Sequence, residues 1–258
     1  MKKNVYTKVL SNIEIAPNIH RIELERRSEF GDIIPGQFVH IKCGEEGGLL
    51  LRRPISISYF DDKKIGLVIR NAGKGTAILC SAKVGQTWDV LGPLGNGFTV
   101  QNHHKKIMIV GGGIGTAPLL ELAKQVQDRD VTVLLGYKNV CFLTEEFMNY
   151  AKVVRVATED GNEGHKGFVT ELVIDEIRGQ KPDVLYACGP EPMLKGIQSL
   201  CRQYDIRSQI SVEERMACGV GACLVCACKL AKVEDGYKYS RACKDGPVFS
   251  GDEVIFDE

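Results

Sequence analysis

Ile107-Met108-Ile109-Val110-Gly111-Gly112-Gly113-Ile114-Gly115-Thr116-Ala117-Pro118 joins four consecutive apolar residues to a glycine-dense turn. An apolar run of that length, bounded by glycine and heading a strand–helix–strand series, reads as a strand buried on both faces of a parallel sheet. The turn leads into a helix predicted over 118–127. Without Cβ atoms its amides can approach a phosphate, to which the helix N-terminus adds partial positive charge. The stretch departs from strict G-x-G-x-x-G, because neither Thr116 nor Pro118 supplies the last glycine. A tight turn without ligand fits the residues too, but the position at the head of the series favours phosphate. Gly111, Gly112, Gly113, Gly115 and Thr116 are therefore the expected nucleotide contacts.

The alternation continues C-terminally, with strands over 131–135, 153–157 and 184–188 and helices over 170–177 and 192–203. It predicts a doubly wound parallel α/β domain over 101–207. Ala187-Cys188-Gly189-Pro190-Glu191-Pro192-Met193 ends one strand and opens the next helix. Ligands of open α/β sheets lie beyond the carboxyl ends of strands, so Cys188, Gly189 and Pro190 are expected beside the same ligand. The Cys188 thiol would shape that pocket without acting as a nucleophile, and a small buried residue is the alternative. The strand over 131–135 runs into Gly136-Tyr137-Lys138 with no acidic residue at its end, which leaves NAD against NADP open.

Upstream, residues 1–100 carry short β-rich runs over 4–10, 19–25, 37–42, 55–60, 65–70 and 88–91, punctuated by Pro35-Gly36 and Gly92-Pro93. Six such strands predict a closed antiparallel β-barrel, which removes exposed edges. Arg53-Pro54-Ile55-Ser56 begins one strand, and Gly73-Lys74-Gly75-Thr76 precedes a short helix. Arg53 could grip a pyrophosphate, Thr76 could cap the helix while its amide meets phosphate, and Ser56 could hydrogen-bond a flavin ring edge. A surface arginine and a glycine hairpin fit equally well. Residues 91–98 read as an interdomain turn, and His103 and His104 as a solvated lead-in loop without a catalytic role.

Downstream, 208–258 is glycine-rich and short-stranded, and it holds Cys218, Cys223, Cys226 and Cys243 in the spacing C-x₄-C-x₂-C-x₁₆-C. That is the plant-type ligand spacing of a [2Fe–2S] cluster, with three thiolates from one loop and a distant fourth. Gly219 and Gly221 let the loop curl, and Ala217 and Ala222 are small enough for amides to reach the sulfurs. A zinc site would favour two C-x₂-C pairs, and only Cys223 and Cys226 have that spacing. Cys228, two positions past Cys226, is a rival ligand or a filler, and the set is complete without it.

Composition narrows the class. The chain has 258 residues, of which 44% are hydrophobic, enough for several cores. Lys plus Arg and Asp plus Glu both number 33, so no net field attracts nucleic acid or anionic lipid. No apolar run approaches the ~20 residues that cross a bilayer, so no membrane contact is expected. Ten cysteines without a signal-peptide pattern predict a reducing, cytoplasmic setting.

Taken in order, Arg52-Arg53-Pro54-Ile55-Ser56, the 111–118 loop, Cys188-Gly189-Pro190, Arg215-Met216-Ala217-Cys218-Gly219 and Cys243-Lys244-Asp245-Gly246-Pro247-Val248-Phe249 resemble the ferredoxin-reductase-like flavoproteins. Within them, the appended cysteine set is similar to that of the electron-transfer subunits of NAD-dependent (type B) dihydroorotate dehydrogenases. The resemblance implies FAD held by Arg53, Pro54, Ile55, Ser56, Val68, Ile69, Arg70, Gly75 and Thr76. It implies NAD on the α/β domain and a [2Fe–2S] cluster on the four cysteines. Ile55 stands where many plant-type reductases stack a tyrosine on the flavin, so less aromatic cover is expected. The implied partner is a catalytic, FMN-containing dihydroorotate dehydrogenase subunit, in a heterotetramer of two of each. In pyrimidine (UMP) biosynthesis, electrons from that FMN would pass through the cluster and FAD to NAD⁺. No side chain of this chain would act as acid or base on the pyrimidine. The competing readings are the flavin and iron–sulfur subunit of a sulfhydrogenase or of a ferredoxin:NADP reductase complex, and a redox-sensing module without steady turnover.

Overall fold

The computed structural model describes residues 4–44, 49–232 and 236–256. The outer ends of the expected 1–100 and 208–258 units, at 1–3 and 257–258, lie outside the described residues. Strands β1 (Asn4–Ala16), β2 (Ile19–Glu25), β3 (Phe38–Ile41), β4 (Arg53–Phe60), β5 (Lys64–Arg70) and β6 (Thr87–Leu94) close into an antiparallel barrel in the order β1-β2-β5-β4-β3-β6. Alternate residues point inward, as a strand's two-residue period requires. Val39 and Ile41 of β3, Ile55 and Ile57 of β4, and Ile65, Leu67 and Ile69 of β5 meet in one core. Helix α1 (Lys74–Cys80) adds Leu79 and Cys80 to that core. Phe38 and His40 alternate to the outer face of β3, yet both are buried, because another part of the chain covers them.

The second half is built on a seven-stranded sheet. Its strands are β7 (Lys106–Gly112), β8 (Asp130–Tyr137), β9 (Val153–Thr158), β10 (His165–Lys166), β11 (Val184–Cys188), β12 (Arg207–Ser211) and, from the cysteine segment, β15 (Val248–Ser250). The order is β10-β9-β8-β7-β11-β12-β15, with every pairing parallel except β12 with β15. Helices α2 (Leu120–Gln125), α3 (Thr144–Met148), α4 (Val169–Gly179) and α5 (Glu191–Gln203) follow β7, β8, β10 and β11. The chain moves outward from β7 to β10 and then returns to the other side of β7. A crevice therefore opens beyond the carboxyl ends of β7 and β11, from which the chain continues to opposite sides of the sheet.

Several expectations need correction. The helix predicted over 118–127 is a 3₁₀ turn over Gly113–Leu119 followed by α2 at Leu120–Gln125. Pro118 lacks the N–H that an α-helix would use, and the tighter turn accommodates it. The interdomain turn is partly strand, since β6 continues to Leu94. His103 is exposed, but His104 is buried, because Arg129 donates to the carbonyls of Gln101 (2.8 Å) and His104 (2.9 Å) and folds the loop back. Arg207–Ser211 belongs to the large sheet, so that sheet extends into the cysteine-bearing third of the chain.

The remaining strands, β13 (Ala227–Ala231), β14 (Tyr237–Arg241) and β16 (Val254–Ile255), form a small antiparallel sheet. This sheet shares one hydrophobic core with α4, α5 and one face of the large sheet. Gln198 of α5 donates to the carbonyls of Gly251 and Val254, both at 2.6 Å, and fastens the chain end to the helix. No helix among the described residues is long and apolar enough to cross a membrane.

Barrel and sheet are locked together at the end of β4. Buried Glu121 of α2 accepts the Phe60 amide at 3.1 Å, and Lys124 donates to the Phe60 carbonyl at 3.2 Å. Arg21 of β2 pairs with Glu146 of α3 across the same junction. Replacing Glu121 with Ala leaves the Phe60 amide buried without its acceptor. It should lower stability by about 1–3 kcal/mol in urea denaturation, with the far-ultraviolet circular dichroism of the native protein unchanged.

Candidate functional site

Between barrel and sheet lies a cleft of about 350 Å³, within the range of small-molecule sites. The barrel contributes Pro54, Ile55 and Ser56 from β4 and Val68, Ile69 and Arg70 from β5; the sheet contributes Gly112, Gly113, Gly115, Cys188, Gly189 and Pro190. These residues come from four separate segments. They meet because β4 is docked on α2 and because Cys188 pairs with Gly111 in the register of β11 on β7.

Arg53 lines an adjoining cleft of about 710 Å³, which shares Pro54, Gly189 and Pro190 with the first. Its guanidinium donates to the carbonyls of Leu51 (2.7 Å) and Arg52 (3.2 Å), and its side chain lies where a Cβ on Gly75 would be. Gly75 is therefore the floor under Arg53. Arg52 lines the same adjoining cleft, with its guanidinium paired to the Asp89 carboxylate at 2.7 Å. Thr76 caps α1: its hydroxyl accepts the amides of Ala72 (2.9 Å) and Gly73 (3.0 Å). Thr116 and Gly111 lie behind the cleft. Thr116 is fully buried and donates to the Gly113 carbonyl at 2.9 Å, while a Cβ on Gly111 would meet Thr116 at 2.8 Å.

The glycines of the turn divide the work. A Cβ on Gly115 would sit 2.7 Å from the Cys188 carbonyl, and one on Gly112 would sit 2.8 Å from Pro190, so both are glycine to let two loops pack. Gly113, at φ +52°, has nothing within 4 Å of its missing Cβ and faces open cleft. The cleft suits a dinucleotide, with bare backbone at Gly113, the cations Arg53 and Arg70 at its barrel side, and a buried apolar wall at Ile55. Burial pushes the Cys188 thiol up to about 12 even though Ser211 hydrogen-bonds it, so it is protonated at neutral pH and is no nucleophile.

Sequence reasoning missed Ser211, Val212, Glu213, Glu214 and Met216, which complete the wall facing Pro54. They follow the carboxyl end of β12. Reading 207–211 as a parallel strand would have placed them at the ligand edge.

The cysteine loop is ordered around its sulfurs. Cys218 Sγ accepts the amides of Val220 (3.5 Å), Ala222 (3.3 Å) and Cys223 (3.4 Å), and Cys243 Sγ accepts the Gly221 amide at 3.1 Å. Cys223 acts electrostatically on Cys218, and Cys226 and Cys218 both act on Cys243, so the four thiols form one neighbourhood. Burial opposes charge on Cys218, but the amides aimed at it prevail and bring it down to about 6. Burial, with Cys226 beside it, pushes Cys243 up to about 12, so a thiolate there needs a cation as counter-charge. Among the described residues no three His, Cys, Asp or Glu side chains converge on a single ion. A two-iron centre asks instead for two thiolates at each iron, and the four thiols fit it.

The loop is braced from behind. Arg241 of β14 grips the Asp245 carboxylate through Nε (2.8 Å) and Nη2 (3.0 Å) and reaches the Gly221 carbonyl at 3.1 Å. Cys228 is buried on β13 and donates to the Ser240 carbonyl at 3.3 Å. Its thiol is thereby engaged in the small sheet's own bonding.

Two family profiles match the chain: the iron-sulfur cluster binding domain of dihydroorotate dehydrogenase B over residues 213–255, and the oxidoreductase NAD-binding domain over 109–199. The dihydroorotate dehydrogenase B (NAD(+)) electron transfer subunit of Caldanaerobacter subterraneus subsp. tengcongensis is 42% identical over 256 residues, covering 99% of this chain and all of that one. The chain belongs to this family of electron transfer subunits. The corresponding subunit of Clostridium acetobutylicum is 40% identical over 258 residues, again covering 99% of this chain and all of the relative. Among solved structures, a chain of the NADH-dependent reduced ferredoxin-NADP oxidoreductase superposes with a TM-score of 0.86 at 29% identity. That match covers 99% of this chain and 91% of the other. A ferredoxin reductase of carbazole 1,9a-dioxygenase, at 19% identity and a TM-score of 0.66, covers 79% of this chain and 65% of that one, and shares the fold. In this dihydroorotate dehydrogenase B family member the 213–255 match spans Cys218, Cys223, Cys226 and Cys243, and the 109–199 match spans the glycine turn and Cys188.

Substitutions in the loop and at control positions test this arrangement. Gly221 sits at φ +82°, and a Cβ there would meet Lys244 at 2.7 Å. Gly221→Val should cut bound iron and sulfide after reconstitution several-fold, with circular dichroism unchanged, while Gly179→Ala, in open space at a helix end, should leave both intact. Cys226→Ala should abolish the visible charge-transfer bands, whereas Cys228→Ala should keep them at full iron content.

Proposed function

We propose that Cys218, Cys223, Cys226 and Cys243 hold a [2Fe–2S] cluster and that the cleft between barrel and sheet holds FAD and receives NAD. The chain is the electron-transfer subunit of an NAD⁺-linked dihydroorotate dehydrogenase B, in pyrimidine biosynthesis. When bound, the flavin supplies two-electron exchange with nicotinamide and one-electron exchange with an iron–sulfur centre. The chain's residues supply the setting. Arg53 and Arg70 balance phosphate charge, Ser56 offers a hydroxyl, and Ile55 gives the apolar wall that keeps water out. Val68, Ile69, Gly75 and Thr76 shape the barrel side. Gly111, Gly112, Gly113, Gly115, Thr116, Cys188, Gly189 and Pro190 form the nicotinamide side, with the Cys188 thiol held neutral.

The observation that carries this reading is the loop that aims four amides at sulfur, three at Cys218 and one at Cys243, with Cys223 and Cys226 beside them. It lies in a segment whose β15 is hydrogen-bonded into the sheet that carries the cleft. Working units of 1–100, 101–207 and 208–258 follow, one for each bound group, with β12 as the seam between the last two.

Val220, Leu224 and Val225 are 45%, 63% and 52% exposed around the cysteines, an apolar collar suited to a protein partner. The partner is the catalytic dihydroorotate dehydrogenase subunit, and a heterotetramer of two copies of each, with FMN on the catalytic subunit, is the assembly we propose. All ten cysteines are free thiols, which suits the cytoplasm. Identities of 40–46% to dihydroorotate dehydrogenase B subunits, against 29% to the ferredoxin-NADP oxidoreductase chain, favour this reading over the latter complex.

The purified chain should show overlapping flavin and iron–sulfur absorption that bleaches on adding NADH. Mixed with its catalytic partner, it should reduce NAD⁺ at the expense of dihydroorotate, and neither subunit should do so alone. A colourless, folded protein that gains no iron on reconstitution would refute the proposal.

A further inference from the structure

The outer face of β3 meets the cysteine loop, and His40 is the residue at the contact. Its side chain is fully buried, and among the described residues neither ring nitrogen has a hydrogen-bond partner. A Cβ on Gly219, the residue after Cys218, would lie 2.6 Å from His40 Nδ1, so the Nδ1 edge of the ring rests against the cluster loop. Phe38, two residues earlier on the same face, packs into the core that contains Cys226 and Cys243. On the other side, His40 stands opposite Pro54 in the β3–β4 register, next to Arg53 and Ile55.

A buried imidazole with two unmet nitrogens is costly where a leucine would fill the space without polar loss. Burial, together with Arg52 and Arg53 nearby, holds the ring well below its usual range, at about 4, so it is neutral and carries one N–H donor. The Arg52 guanidinium reaches the His40 carbonyl at 3.3 Å, and the Arg52 backbone lies near the ring without making a hydrogen bond of good geometry to it, so the Nδ1 edge against Gly219 stays unmet. The polar group that the proposed function brings to this spot is an iron–sulfur centre rich in sulfur acceptors.

We propose that His40 donates its imidazole N–H to the iron–sulfur centre held by the Cys218 loop and thereby sets the centre's reduction potential from the barrel side. This rests on the cluster reading given above. Donors to cluster sulfur stabilise the reduced, more negative state and raise the potential. His40 is therefore a tuning residue, joined through β3 to the strand that carries the flavin-side residues. Its side chain would make the barrel sensitive to the state of the cluster without touching the partner.

The test uses reconstituted full-length protein as wild type, His40→Leu and His40→Gln. Iron, sulfide and flavin per chain are measured first, and then the cluster is titrated potentiometrically by EPR. In His40→Leu the ratio of reduced to oxidised cluster at a fixed ambient potential should fall about tenfold, about 59 mV for one electron, with the flavin potential unmoved. His40→Gln, which restores an N–H, should recover part of the shift. Wild-type protein labelled with ¹⁵N only at histidine should show a weak nitrogen coupling in the pulsed EPR of the reduced cluster. An unmoved potential in iron-replete His40→Leu, or no histidine nitrogen coupling in the wild type, overturns the proposal. Should His40→Leu fail to retain iron, the wild-type coupling decides alone. Absence of any cluster in the wild type would defeat the cluster reading itself, a result distinct from an intact cluster indifferent to His40.

Discussion

The antiparallel pairing of Val248–Ser250 with the end of the parallel sheet is the constraint from which the electron-transfer side is built. It brings Gly246 and Pro247 against the barrel, where the Gly246 carbonyl accepts the Asn96 amide at 2.6 Å. It carries Cys243 back beside Cys226 and sets the loop over β3. Without that edge pairing the cysteine segment would be a small sheet on a tether, too small to bury a core of its own. With it, the segment borrows the core of α4 and α5.

Such docking matters because the cleft is made of pieces. Pro54, Val68, Gly113 and Gly189 lie far apart in sequence; the first two are paired within the barrel, and the last two directly follow β7 and β11 of the sheet. What aligns the pieces is apolar packing of Ile19, Val68, Phe38 and Leu94 of the barrel onto the sheet, together with polar contacts at the junction, chiefly Glu121 and Lys124 on Phe60 and Arg21 on Glu146. The polar contacts are side-chain bonds to backbone and ion pairs, and with the packing they set the spacing between barrel and sheet.

The sequence made the architecture legible because each half repeats a simple period. The apolar run at 107–110 and the alternation in β2 and β5 left little choice, and the spacing of Cys218, Cys223, Cys226 and Cys243 is a ligand pattern in itself. The wall at Ser211–Glu214 was not legible, because Arg207–Ser211 mixes polar and apolar residues like a loop and becomes a strand only through its neighbours β11 and β15. Thr76 caps α1 as its pattern suggests, by accepting the amides of Ala72 and Gly73, but the seat of Arg53 on Gly75 is a contact that pattern cannot foresee. His40 carried no signal at all: a histidine on a barrel strand becomes notable only when the loop from residue 219 is seen lying on it.

The apolar collar of Val220, Leu224 and Val225 sits beside Cys223, the most solvent-accessible of the four thiols. A copy made in excess of its partner would therefore present greasy surface and an oxidisable sulfur at the same point, prone to clumping and to loss of iron in air. For such a subunit, matched synthesis of the two polypeptides is a condition of chemical survival as much as of assembly.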